Sequence, residues 1–98
     1  MDNVEKYLDE IGNRLLRLRL VNGYASYEAF ANANNLSRMQ YWRIEKGKTN
    51  LTIKSLLRIL KVHNVTLDQL FSKTFYKDFP APPVKSVSTR RRVYSEKT

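Results

Sequence analysis

Between residues 38 and 46 the chain reads Arg-Met-Gln-Tyr-Trp-Arg-Ile-Glu-Lys. Wound as a helix at about 100° per residue, this stretch divides into two faces. Tyr41 and Ile44 fall together, with Leu36 just ahead of them, and these three are assigned to an apolar interior. Met39, Trp42, Arg43 and Lys46 gather on the opposite face, with Arg38 at its edge. Burial does not account for that second face, because the interior side is already filled. A short helix showing cations and an indole suits a polyanion. The DNA major groove admits one α-helix, and arginine is the side chain best matched to guanine edges there. The competing reading of Arg38 and Arg43 is a solvated helix surface. Met39 either meets a thymine methyl or fills a gap at the core margin. Trp42 packs on a sugar or base methyl, grips a second subunit, or lies under the aromatic segment downstream. Its ring carries about 150–250 Å² of mostly apolar surface that favours a cover.

Other chemistries find little material here. The 98 residues contain no cysteine, one histidine and three glycines. A disulfide framework, a thiolate metal site and a cysteine nucleophile are excluded, and one histidine leaves no multi-histidine site within a chain. No glycine-rich phosphate cradle and no paired carboxylates in a plausible pocket appear, so no enzyme, cofactor or metal is expected. His63 stands near a helix end without a ligand partner in sequence and reads as structural. No apolar run approaches the ~18 residues of a membrane span. The acidic start MDNVEKYLDE does not resemble a signal peptide. A cytoplasmic, nucleoid-associated location is expected.

The elements that must position the basic helix follow from local signals. Val4, Leu8, Ile11, Leu15 and Leu18 recur at spacings of four and three, predicting a first helix with one apolar stripe, joined in the core by Tyr7. Leu16, Leu20 and Val21 lie off the stripe and either complete the core or form part of a dimer contact. Arg14, Arg17 and Arg19 toward the end of that helix suit its dipole, and Gly23 stops it. Ser26 caps a short second helix that ends at Asn34-Asn35, asparagine being tolerant of the left-handed conformation. Ser37 and Gln40 read as a capping box for the third helix, which stops at Gly47. Thr52 caps a fourth helix with Ile53, Leu56, Leu57 and Leu60 on its buried side, ended by Asn64. Thr66 and Gln69 form a second capping box opening a fifth helix with Leu70 and Phe71. Beyond Ser72, Phe75, Tyr76 and Phe79 are able to fold back on the bundle, and Pro80-Ala81-Pro82-Pro83 is extended. Residues 84–98, rich in Ser, Thr, Arg and Lys, read as a flexible tail.

Net charge is +9, distributed as −3 over residues 1–10, +8 over 11–75 and +4 over 76–98. The body itself is basic, which favours nucleic acid over an anionic membrane as partner. Arg90-Arg91-Arg92 is either a minor-groove or phosphate-binding arm or a solvated tail.

A short helix, a tight Asn-Asn turn and a capped basic helix together resemble the helix-turn-helix of the Cro and phage-repressor type, the xenobiotic-response-element family. The likeness spans roughly residues 8–72. It rests on Ser26-Tyr-Glu-Ala-Phe-Ala31, Leu36-Ser37, Arg43-Ile-Glu-Lys-Gly-Lys48, Asn50-Leu-Thr52, Leu56-Leu-Arg-Ile-Leu60 and Val65-Thr-Leu-Asp-Gln-Leu70. It implies an all-α, compact five-helix, lambda-repressor-like domain over residues 1–74, with an aromatic and proline segment and basic tail over 75–98. By position, Ser37 to Lys46 is the recognition helix, and Arg38, Met39 and Arg43 reach base edges. Gln40 serves as cap or phosphate contact, and Lys46, Lys48 and Asn50 approach phosphates. Tyr27 stands where the family often has a backbone-contacting glutamine, and Glu45 pairs with Arg19 rather than with DNA. Tyr27 in place of glutamine, Asn34 and Asn35 in place of an aliphatic and a glycine, a longer link before Ser26, and Trp42 depart from the pattern. The expected function is sequence-specific double-stranded DNA binding by a transcriptional repressor, as a homodimer on a palindromic operator. The alternatives are an antitoxin with a small toxin partner, a mobile-element control protein, and a protein-interaction module that uses Trp42 and Met39.

Overall fold

A computed structural model describes residues 3–83; the proposed arm at residues 90–92 lies outside the described residues. Six helices follow one another: α1 (Val4–Val21), α2 (Tyr27–Ala33), α3 (Arg38–Glu45), α4 (Ile53–His63), α5 (Leu67–Leu70) and α6 (Phe75–Asp78). There is no strand among the described residues. The all-helical expectation is met, with one more helix than the five read from sequence. α6 is a single turn, too short to carry a periodic stripe, and it forms because Phe75 is drawn into the core at 0% exposure.

The helix starts are local chemistry. Ser26, Ser37, Thr52 and Thr66 each accept a hydrogen bond from the backbone N–H three residues on, satisfying donors that the first helical turn cannot use. Only the Thr66–Gln69 box closes in both directions. The Ser37 cap is one-sided: the Gln40 N–H donates at 3.2 Å and its side chain does not return the bond, so the first expected box is half formed.

The helix ends share one device. After α1, α2, α3 and α4 comes a residue with positive φ: Gly23 (92°), Asn35 (60°), Gly47 (70°) and Asn64 (60°). Around each, paired backbone bonds close the last turn, as in Gly47 N–H to Ile44 O and Lys48 N–H to Arg43 O. That is the Schellman arrangement, which satisfies carbonyls left over at the C-terminus. The Asn-Asn link is built the same way, with Asn35 N–H donating to Asn32 O and Leu36 N–H to Ala31 O.

Phe30, Ala31, Tyr41, Ile44, Leu15, Leu18, Leu56, Ile59, Leu60, Leu70 and Phe75 form one continuous core, with Val65 at its edge. Two apolar assignments need correction. Val4 and Tyr7 are exposed, and Leu8 is only half-buried. α1 is 18 residues long and α3 eight, roughly 27 Å against 12 Å at 1.5 Å per residue, so its partners cannot cover its first turns. Ile53 and Leu57 are likewise exposed, at 61% and 45%. α4 carries apolar residues on two faces, and Leu56, Ile59 and Leu60 are the ones turned inward.

Gly12 sets the α1–α3 approach. A Cβ there would collide with the Glu45 carbonyl oxygen and stand 2.8 Å from both the Glu45 carbonyl carbon and the Ile44 oxygen. The obstacle is backbone, so the helices must part. Gly12→Ala is expected to cost about 1–3 kcal/mol, as overpacked sites do, read as a melting temperature lower by roughly 5–20 °C in a domain this size. An unchanged Tm would show that α1 and α3 are not held this closely.

Candidate nucleic-acid interface

α2, the Asn34-Asn35 link and α3 form a helix-turn-helix. α3 is anchored on its inner side by Tyr41, Ile44 and Glu45, all buried. Tyr41 packs on Phe30 at 4.9 Å between ring centroids, tying α3 to α2. Glu45 is held by Arg19 of α1 through two bonds, Nε to Oε2 at 2.7 Å and Nη2 to Oε1 at 3.1 Å. Both side chains are almost entirely withdrawn from solvent, at 8% and 5% exposure. Arg19 also donates to the Tyr24 carbonyl at 3.0 Å. The expected Arg19–Glu45 pair is therefore present, and Glu45 is spent inside the protein. Burial and the adjacent Glu45 charge push the Tyr41 hydroxyl far above the ordinary phenol range, and that hydroxyl is buried without a hydrogen bond.

With its inner face locked, α3 turns Arg38, Met39, Gln40 and Arg43 outward, all exposed. Met39 is 57% exposed, so it is not a core gap-filler. Lys46, Lys48 and Asn50 continue the exposed surface through the loop to α4. Gly47 in that loop sits directly against Asp9 of α1, where any side chain would meet the Asp9 carboxylate and backbone. Ser37 is exposed at the head of α3. Tyr27 and Trp42 differ from the rest: both are half-buried, and Tyr27 packs against the core. Trp42 is thus not the fully outward side chain that the wheel suggests.

The positive charge is redistributed by these contacts. Arg14 pairs with Glu10 at 2.7 Å, donates to the Leu70 and Ser72 carbonyls at 2.7 and 2.9 Å, and lies over the Phe75 and Tyr76 rings. Arg17 donates to the Phe79 carbonyl at 3.1 Å and stacks on Tyr76. With Arg19 on Glu45, all three arginines toward the end of α1 are also committed to holding the fold. Arg38, Arg43, Lys46 and Lys48 make no ion pair among the described residues. Four outward cations thus lie on α3 and the loop after it, while Lys6, Lys54, Arg58, Lys61, Lys73 and Lys77 are exposed elsewhere.

His63, read as structural, is a packing residue. Its ring stacks on Phe30 at 5.0 Å with planes 4° apart, and the Asn22 side-chain amide donates to Nδ1 at 2.7 Å. That bond leaves the ring proton on Nε2, which is buried without a partner. Burial pulls the imidazole down to about 4, against the opposing influence of Glu45. The folded protein thus binds a proton here less readily than the unfolded chain, whose histidine titrates near 6.5. Stability is expected to be full above pH ~6.5 and to fall as pH drops toward 4, by about 1–2 kcal/mol for a partly exposed ring. The check is urea unfolding of wild type and His63→Leu across pH 4–7. The stability of wild type relative to His63→Leu must fall toward acid pH, and a constant difference refutes the effect.

Among the described residues no helix is long and apolar enough to cross a membrane. The chain is 39% identical over 61 residues to the control protein C.MunI of a Mycoplasma species, a match covering 62% of this chain and 82% of that protein. The chain belongs to the family of that control protein. It is also 44% identical over 50 residues to the plasmid copy control protein CopR of Streptococcus agalactiae, covering 51% of this chain and 54% of that protein. No family model and no solved structure matches the chain.

Proposed function

We propose that this protein is a sequence-specific double-stranded DNA-binding transcriptional regulator, a repressor of the Cro and phage-repressor type, that lays α3 in the major groove. One observation carries the reading. α3 is fixed from within by Tyr41, Ile44 and the Arg19–Glu45 pair while it turns Arg38, Met39 and Arg43 outward with no ion-pair or hydrogen-bond partner for their side chains among the described residues. In this reading Arg38 and Arg43 meet base edges and Met39 meets a thymine methyl. Ser37, Gln40, Lys46, Lys48 and Asn50 meet the backbone, joined by the Tyr27 hydroxyl and the outer edge of Trp42.

One short helix reads only a few base pairs, so two copies on a palindrome are needed, with half-sites about 10 bp apart. The exposed Ile53, Leu57 and Phe71 supply apolar surface for that pairing. The relatives' names, control protein and plasmid copy control protein, support a regulatory role, and the second favours control of a mobile element over an antitoxin paired with a toxin.

The test is selection of bound duplexes from a random pool. A palindromic consensus is the expected result, and it would give the half-site spacing directly. Failure to enrich any sequence would refute the reading and leave the protein-interaction module in its place.

A further inference from the structure

The link between α2 and α3 is fastened to α2 by several bonds, with the Asn34 N–H shared between Phe30 O and Ala31 O. Asn35 N–H donates to Asn32 O, Leu36 N–H to Ala31 O, and the Asn34 side-chain amide to Phe30 O at 2.9 Å. Toward α4 the situation differs. A cleft of about 120 Å³ lies there, with Leu36, Ser37 and Gln40 on one side and Ser55 and Ile59 on the other. That is room for a few water molecules rather than close-packed side chains. Packing is therefore incomplete where the head of α3 faces α4. Arg58, at the edge of the same cleft, crosses to the link and donates from Nη2 to the Asn35 carbonyl at 3.2 Å. Arg58 has no carboxylate partner among the described residues, and no other hydrogen bond joins the link to α4 there.

We propose that Arg58 is a positioning residue for the proposed DNA reader. It tethers the carbonyl of the left-handed Asn35 to α4 and so fixes the angle at which the head of α3, with Arg38 and Met39, is presented. The inference rests on the DNA-binding reading above.

A tether and a phosphate contact make different predictions. Loss of a tether lets α3 tilt: matched sequences suffer and mismatched ones do not. Loss of a phosphate contact weakens every sequence alike and lowers the salt slope by about one. The experiment titrates wild type, Arg58→Ala and Arg58→Lys against the selected duplex and a scrambled one at several salt concentrations, with amide hydrogen exchange on the free proteins. Arg58→Ala is expected to weaken selected-duplex binding about 5–10-fold, with scrambled-duplex binding within about twofold and the salt slope unchanged. The Leu36 amide should exchange faster, and Arg58→Lys, which keeps a donor of similar reach, should recover most of the affinity. Parallel losses on both duplexes with a reduced slope would make Arg58 a phosphate contact and overturn the proposal, as would unchanged binding. If wild type selects no sequence, the DNA reading itself fails. Hydrogen exchange still decides the tether, because unchanged protection at Leu36 in Arg58→Ala removes it.

Discussion

Glu45→Gln should destabilise the protein by about 3–5 kcal/mol, the characteristic cost of leaving one member of a buried ion pair without the other. Arg19 would keep its full charge at 6% exposure, with only the Tyr24 carbonyl and an amide oxygen for company. Domains of this kind have total stabilities of about 5–15 kcal/mol, so a large share would go. The loss should concentrate at α3, because the pair is the polar tie between α1 and the last turn of that helix. The double variant Arg19→Met, Glu45→Met separates the pair's net worth from the penalty of orphaning a charge. Two flexible apolar chains of comparable length remove both charges, and the expected stability is within about 1–2 kcal/mol of wild type or above it. Urea unfolding of wild type, Arg19→Met, Glu45→Met and the double variant completes the cycle, with Glu45→Gln measured beside them. A cost below about 1 kcal/mol for Glu45→Gln would mean that water reaches the pair, contrary to the burial on which the locking of α3 depends.

That locking explains which parts of the protein were readable from sequence. Caps at Ser26, Ser37, Thr52 and Thr66, and turns at Gly23, Asn35, Gly47 and Asn64, are events within three or four residues of chain. Their chemistry is carried by the residues themselves. The inward face of α3 was equally legible, since Tyr41 and Ile44 are its apolar pair. Gly12 gave no signal, because its significance is the nearness of a carbonyl on another helix. α4 misled for a related reason. Five aliphatic residues lie between Ile53 and Leu60, and periodicity cannot rank two apolar faces when only tertiary contact chooses between them. Arg14 and Arg17 were visible as charges at the end of a helix. Their actual acceptors, the carbonyls of Leu70, Ser72 and Phe79, lie at the far end of the chain.

Those two arginines also alter what the net charge means. Carbonyl oxygens and aromatic faces of the α5–α6 segment hold both of them, while Arg19 serves the core. A basic body is thus less uniform than its composition suggests. What remains outward on α3 and its loop is a compact set, Arg38, Arg43, Lys46 and Lys48. Charge attracts any polyanion at that surface, whereas one base pair is told from another by hydrogen bonds and apolar contacts to base edges from side chains held on a fixed helix.

Arg43→Ala tests that distinction most directly. The side chain is exposed and makes no ion pair within the described structure, so its removal should change stability by no more than about 0.5 kcal/mol. Binding to the selected duplex should fall at least about tenfold, since a bidentate arginine–guanine contact discriminates bases by ~1–3 kcal/mol. Arg43→Lys refines the test. Lysine keeps the charge and loses the fork, so affinity for scrambled DNA should be preserved while preference for the selected sequence declines. Lys46→Ala provides the contrast. As a phosphate contact it should weaken both duplexes by similar factors and lower the salt slope by about one. Fluorescence anisotropy titrations at two salt concentrations measure all three variants. Equal binding of Arg43→Ala and wild type to the selected duplex would remove Arg43 from the reading surface. A uniform loss on both duplexes would reduce it to an electrostatic contact, and the determinants of sequence would then have to be sought at Arg38 and Met39, closer to the Asn35 link.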